Sequence, residues 1–252
     1  MVITKFLAAA GRHGRPILAT GLALSAGFLL VQAQVPALGQ RAFPALMIAA
    51  MSLLPLGVVS VAGRRPNAFV VLPDVPAFST PPRPTYTFLA LAYLVMATGR
   101  TANVIRDWGS DPFLSEQLPE LFTTALTLLF VAVAWGDNSV QLRPDGVWQR
   151  GLTGWLVIPW DASPAVPSLP PAPNANTVPL TCARPELVRR SGLHVFGKKL
   201  RTTDIEPWLI TAAIRYYAAN PVHRPAIGTE IERDRLMREL FDPFRPAPAA
   251  GT

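Results

Sequence analysis

Residues 139–161 read SVQLRPDGVWQRGLTGWLVIPWD, and this stretch decides the fold of the C-terminal half. Val140 and Leu142 alternate with Gln141 and Arg143, the period of two that a strand with one buried face shows. Pro144-Asp145-Gly146 is turn chemistry: proline presets φ, aspartate bonds its own backbone and glycine is expected to take a positive φ. Val147-Trp148-Gln149-Arg150 runs back, Gly151-Leu152-Thr153-Gly154 turns again, and 155–160 is a third, bulky strand closed by Asp161. Three short antiparallel strands on tight turns make a meander, the start of an all-β sandwich or barrel.

The pattern LxPDGVxxR, a short turn and a hydrophobic strand ending in IPWDA resembles the opening of bacterial PH-like domains. The resemblance spans residues 139–220, under half the chain. It implies a curved, barrel-like antiparallel sheet plugged at one end by a C-terminal helix. Function follows from it only broadly, because the fold hosts lipid binding, peptide binding and scaffolding alike.

Half of the 252 residues are hydrophobic and 15% are charged, a composition that disfavours a purely soluble protein. The single Cys182 excludes an internal disulfide and suits a reducing compartment. Three lysines against 20 arginines fit a high-GC bacterial genome. The net charge of +7 suits cytoplasmic loops beside anionic lipid; no nucleic-acid motif accompanies it, so nucleic acid is not an expected partner.

Residues 1–136 read as a transmembrane anchor of four helices, near 17–37, 44–62, 85–105 and 118–135. The first could instead be a secretory signal peptide with a cleavage-like site near Ala33. Gly39-Gln40-Arg41 reads as the turn before the second span, and Pro55 as a kink within it. Residues 63–83 form a proline-rich extended loop. The third span is weak, since 85–98 is apolar for too short a run unless Arg100 snorkels to the interface. An acidic loop, 106–120, with Trp108 leads to the fourth, where Pro119 and Glu120 are placed in the first turn and Trp135 anchors the end.

Basic residues in the short loops divide six to three: Lys5, Arg12, Arg15, Arg64, Arg65 and Arg83 against Arg41, Arg100 and Arg106. This bias puts both termini in the cytoplasm of a multi-pass protein of the bacterial inner membrane. No Asp, Glu, Lys or His lies well inside a span, so the helices read as an anchor rather than an ion pathway. Ser25 with Ala23, Ala26 and Gly27 marks a helix-contact surface.

Only Gly136-Asp137-Asn138 joins the last span to the first strand, about 10 Å when extended, so the domain is held at the membrane. Within it, 162–179 is an insertion with six prolines, too rich in proline to join a sheet. Later strands are expected at 180–183, 186–191, 194–196 and 200–203, and a plug helix at 206–220 with Leu209, Ala213 and Tyr216 on one face. Residues 221–252 comprise a short amphipathic helix, opened by the capping box Thr229-Glu230-Ile231-Glu232, and a disordered tail. The helix either packs back on the domain or docks elsewhere.

Arg189, Arg190, Lys198, Lys199 and Arg201 lie along the later strands and are the candidate lipid- or partner-binding set. They either hold an anionic group or serve solubility and orientation. No nucleophile–base pair, phosphate loop, dinucleotide fingerprint or metal-ligand spacing is present, so neither catalysis nor a cofactor or metal is expected. The expected function is a non-enzymatic scaffold or adaptor binding membrane lipid or a membrane-protein partner. The alternatives are an accessory subunit of a transporter or channel, and a membrane enzyme with an unrecognised site.

Overall fold

A computed structural model describes residues 10–241 apart from 12, 63, 64, 73, 107–113, 137, 152, 168, 170, 174 and 193–198. The chain forms two compact units, each built from two pieces: Met1–Arg64 with Pro82–Asp137, and Arg65–Pro81 with Asn138–Thr252.

The first unit holds α1 (Gly14–Gln34), α2 (Pro36–Ala62), α3 (Thr85–Arg106) and α4 (Leu114–Trp135). The first hairpin turns at Val35 (φ −132°, ψ 80°), and the expected turn at 39–41 lies inside α2. The cause is Pro36, which disfavours helical backbone in the residue before it and suits a first helical position. Pro44 and Pro55 both fall within α2, and Pro119 within α4 rather than in its first turn.

The α3 helix is continuous through the stretch that reads as too short, and it packs against α1, α2 and α4. Its described side chains from Thr85 to Thr101 include no exposed one. A central helix meets protein on every side, which explains its mixed composition. Small residues let the neighbours approach it: a Cβ on Gly21 would lie 2.6 Å from Leu91, and one on Gly57 3.2 Å from Leu89. Ser25 shares the partly covered stripe of α1, whereas Ala23, Ala26 and Gly27 are exposed and not part of the contact.

Polarity in this unit is inverted. Leu24, Leu30, Ile48, Phe122 and Leu128 are 65–70% exposed, while Ser60, Thr85, Thr87, Thr98, Thr123 and Thr127 are buried. The Ser60 and Thr85 hydroxyls bond each other at 2.6 Å, and Thr127 Oγ1 donates to Tyr93 O at 3.1 Å. Arg15 Nε donates to Trp135 O at 3.2 Å, so the start of α1 meets the end of α4. With the Ser60–Thr85 bond, this places the chain's exits after α2, before α3 and after α4 at one end of the bundle. Among the described residues, α1 alone is both long and apolar enough to cross a membrane unaided; the apolar stretches of α2 and α4, Pro44–Ser60 and Leu121–Trp135, are shorter. Length and composition therefore give one candidate membrane helix, not four.

The second unit contains an antiparallel sheet of order β1-β2-β3-β4-β5-β9. Its strands are β1 (Val70–Val71), β2 (Phe78–Ser79), β3 (Val140–Arg143), β4 (Gly146–Gly151), β5 (Gly154–Pro159) and β9 (Arg189–Gly192). The meander is the expected one, but β1 and β2 come from the loop between α2 and α3, which reads as a plain connection. Phe78 pairs with Leu142 and Ser79 with Gln141. Gly146 takes the expected positive φ (159°), and it is needed there also because a Cβ would collide with Ile158 O.

The proline-rich insertion also joins sheets, contrary to its composition. β6 (Pro164–Ala165) pairs with β8 (Thr181–Cys182), and β7 (Thr177–Pro179) with β10 (Lys199–Arg201). Proline is tolerated there because these are short two-stranded edges. The expected strand at 194–196, Trp108 and the tail at 243–252 lie outside the described residues.

The helix α5 (Pro207–Ala219) begins with proline at its first position, as expected. Its Leu209, Ile210, Ala213, Ile214 and Tyr217 join Phe78, Leu142, Val147, Leu156 and Ile158 from the sheet in one core. Each leucine, isoleucine, valine or phenylalanine among them stabilises the fold by about 1.5–3 kcal/mol when fully buried. The C-terminal helix α6 (Glu230–Phe241) packs on this unit through Leu236 and Glu232. Thr229 caps it, accepting from Glu232 N at 3.2 Å.

Candidate functional site

Val147, Leu156 and Ile158 point into the core, so strand alternation sends Trp148, Trp155, Val157 and Pro159 to the opposite face. The register then sets Gln141, Trp148, Val157 and Arg189 side by side across β3, β4, β5 and β9. On this outer face lies a groove of about 480 Å³. Pro144 and Asp145 from the first turn, Trp160 and Asp161 from the turn after β5, and Arg224 from the 3₁₀ turn Pro221–Ala226 complete its walls.

Most of these groups are fixed by other protein atoms. Trp148 Nε1 donates to both carboxylate oxygens of Asp145, at 3.2 and 3.3 Å, and the Arg143 guanidinium lies 4.1 Å from the centre of its ring. Trp160 is buried; its Nε1 donates to Arg143 O at 2.8 Å, and its backbone N–H to Asp145 O at 3.2 Å. Arg224 lies 5.3 Å from the Trp160 ring centre while its Nε donates to Tyr217 O at 2.8 Å and its Nη2 to Ala218 O at 3.2 Å. These bonds fix the Trp148 and Trp160 rings and the Arg224 guanidinium within the fold. Trp155 is 39% exposed.

Behind the groove, Tyr217 is clamped from α6. Its hydroxyl donates to Glu232 Oε1 at 2.9 Å, and Arg235 bridges the same carboxylate at 2.5 and 2.7 Å. Burial pushes the Tyr217 phenol above its ordinary value near 10, and the hydrogen bond to the Glu232 carboxylate acts in the same direction. This cluster fixes the end of α5 that Arg224 grips.

Among the described residues, the basic side chains singled out in the sequence do not form one patch. Arg189 lines the groove. Arg190 pairs in register with Leu156 and so belongs to the other face of β9. Lys199 and Arg201 lie on β10, in a different sheet. Arg201 is committed to the fold: it donates to Asp204 Oδ2 at 2.6 Å and to Asn138 O at 2.8 Å. Lys198 lies outside the described residues. What the sequence reading passed over is the aromatic wall, although the alternation of 147, 156 and 158 inward already sends Trp148 and Trp155 outward. Asp145 and Asp161, read as turn residues, are groove residues too.

The described residues hold no group of His, Cys, Asp and Glu suited to a metal ion. Compared with known proteins, the chain matches no family model, no curated protein and no solved structure.

Proposed function

We propose that the chain is a multi-pass membrane protein in which α1–α4 anchor a PH-like domain at the cytoplasmic face. The domain acts as a non-enzymatic docking module for a protein partner. The observation that carries this function is the groove: a preformed, tryptophan-walled surface on the outer face of the sheet, built of groups that bind rather than react.

Support for the anchor comes from the inverted polarity of the helices. Exposed leucine, isoleucine and phenylalanine on three helices around a central fourth suit contact with lipid, and the buried hydroxyls bond internally as a bilayer demands. A span need not be apolar all round when three others surround it, so α3 qualifies by position. The six-to-three basic bias supports a cytoplasmic side for the end where α2 and α4 finish. The meander and the α5 helix in its core support the PH-like reading. The arginine and lysine set carries less weight than the groove, since Arg201 is internally paired.

The test is crosslinking and pulldown of the tagged full chain from membranes, beside a Trp155→Ala/Arg189→Glu variant. Loss of specific partners from a variant that still melts cooperatively supports docking at the groove. Identical partners from both chains refute it and turn recognition over to the helices.

A further inference from the structure

We infer that the groove takes an extended proline-rich segment of a partner protein, a polyproline II helix carrying an acidic and a basic residue three positions apart. This rests on the docking reading above and names its partner class.

The walls supply the first argument. Trp148 and Trp155 offer flat apolar faces beside the rings of Pro144 and Pro159, above the buried Trp160. Such surfaces match pyrrolidine rings, and a ligand already held in polyproline II loses little conformational entropy on binding. That helix makes no internal hydrogen bonds, so its carbonyls need donors. The Trp148 and Trp160 indole N–H groups are used within the fold. Trp155 has no recorded partner among the described residues and is exposed, leaving its N–H for a ligand carbonyl.

Charge complementarity supplies the second. Of the four charged residues lining the groove, Asp145 is held by Trp148, and Arg224 by two carbonyls. Arg189 and Asp161 have no recorded partner among the described residues and are exposed. Arg189 stands opposite Val157 in the register, and Asp161 follows four residues later along β5 and its turn. At about 3.3 Å per extended residue, shortened by the turn, the two charges lie on the order of 10 Å apart. One turn of polyproline II, three residues at about 3.1 Å each, advances about 9 Å. An acid and a base at positions i and i+3 therefore reach Arg189 and Asp161 together.

A membrane phosphate fits less well. The groove has two arginines and two aspartates, hence no net charge, and one uncommitted cation. Anionic headgroups are held by several cations at once.

The experiment uses the full chain in detergent and a fluorescein-labelled peptide, PPEPPKPP, read by anisotropy. The flexible counterpart GGEGGKGG is the control. Saturable binding of the proline peptide, and much weaker binding of the glycine one, is expected. Trp155→Ala should weaken binding about tenfold or more, as for a central aromatic contact. Arg189→Glu should also weaken it, and the peptide PPKPPKPP should regain affinity for that variant. Such rescue separates a direct contact from damage to the fold, and thermal melting of both variants checks that they are folded. No saturable binding, or equal binding of the glycine peptide, overturns the proposal. Saturation by short-chain phosphatidylglycerol without response to the peptide overturns it as well and identifies a lipid site. If the peptide fails while groove variants still lose their membrane partners, docking stands and only the partner class is wrong. If the partners persist in those variants, the docking reading itself fails.

Discussion

Replacing Gly228 by alanine asks whether the loop between α2 and α3 belongs to the sheet-containing unit. Gly228 has φ of 99°, a region that costs a residue with a side chain about 1–3 kcal/mol. A Cβ there would collide with Ala77 N and lie 2.5 Å from both C and Cα of Pro76. These are backbone atoms with no rotamer to escape into, so the segment before β2 must shift. Ala77 and Phe78 are both 0% exposed and shift with it. Loosening Phe78 forfeits part of the roughly 2–3 kcal/mol its burial contributes. Together the terms give a loss of about 3–4 kcal/mol. At about 3 °C per kcal/mol for a chain of this size, Tm falls by about 10 °C. The assay is thermal unfolding of the full chain in one detergent, followed by tryptophan fluorescence. Gly27→Ala is the control: a Cβ there meets nothing within 4 Å, and alanine relieves up to about 1 kcal/mol of helix penalty. A Gly228→Ala protein that melts within about 2 °C of the parent refutes the reasoning, because that is under 1 kcal/mol.

Three further outcomes follow from the same geometry. Arg65 donates to Ala175 O at 2.5 Å, Thr202 O at 3.1 Å and Asn176 Oδ1 at 2.7 Å. Arg65→Ala should therefore cost about 3 kcal/mol in thermal melts, and Arg65→Lys should recover less than half, since an ammonium lacks the planar fork. Tyr217→Phe should flatten the alkaline loss of stability. The folded phenol keeps its proton above the unfolded value near 10, so its contribution is complete below about pH 10 and declines as pH rises past it. Melts from about pH 9 to 11 check this. For the membrane topology, Arg41→Cys and Val70→Cys should react with an impermeant thiol reagent from opposite sides of sealed vesicles, in a background without Cys182. Labelling from the same side contradicts the paired spans.

Legibility in the sequence tracks how local the cause is. The β3–β4–β5 meander is readable because Pro144-Asp145-Gly146 and the period-two alternation act within a few residues. The α5 helix is readable for the same reason: Pro207 starts it and Asn220-Pro221 ends it. By contrast, β1 and β2 are two residues long, and their reason to be strands is Leu142, far along the chain. Phe69 and Phe78, two aromatic side chains in a proline-rich loop, were the available hint; their rings stack at 6.1 Å in the core. The first hairpin is misplaced by hydropathy alone, because apolarity runs through Val35 while Pro36 interrupts the backbone. The third helix runs unbroken to Arg106 although its apolar run is short, because its packing against three other helices is a tertiary fact. Attention to cations hid the groove: Arg201 reads as available from sequence, yet its partners Asp204 and Asn138 hold it within the fold.

The most direct test of the docking account is a photo-crosslinking amino acid placed at position 191, where exposed Ser191 pairs in register with Trp155 beside the groove, in the full chain in living cells. The account predicts a discrete protein adduct that disappears when Arg189→Glu is added, while the protein stays at its normal level in the membrane. No protein adduct, or one indifferent to Arg189, contradicts it.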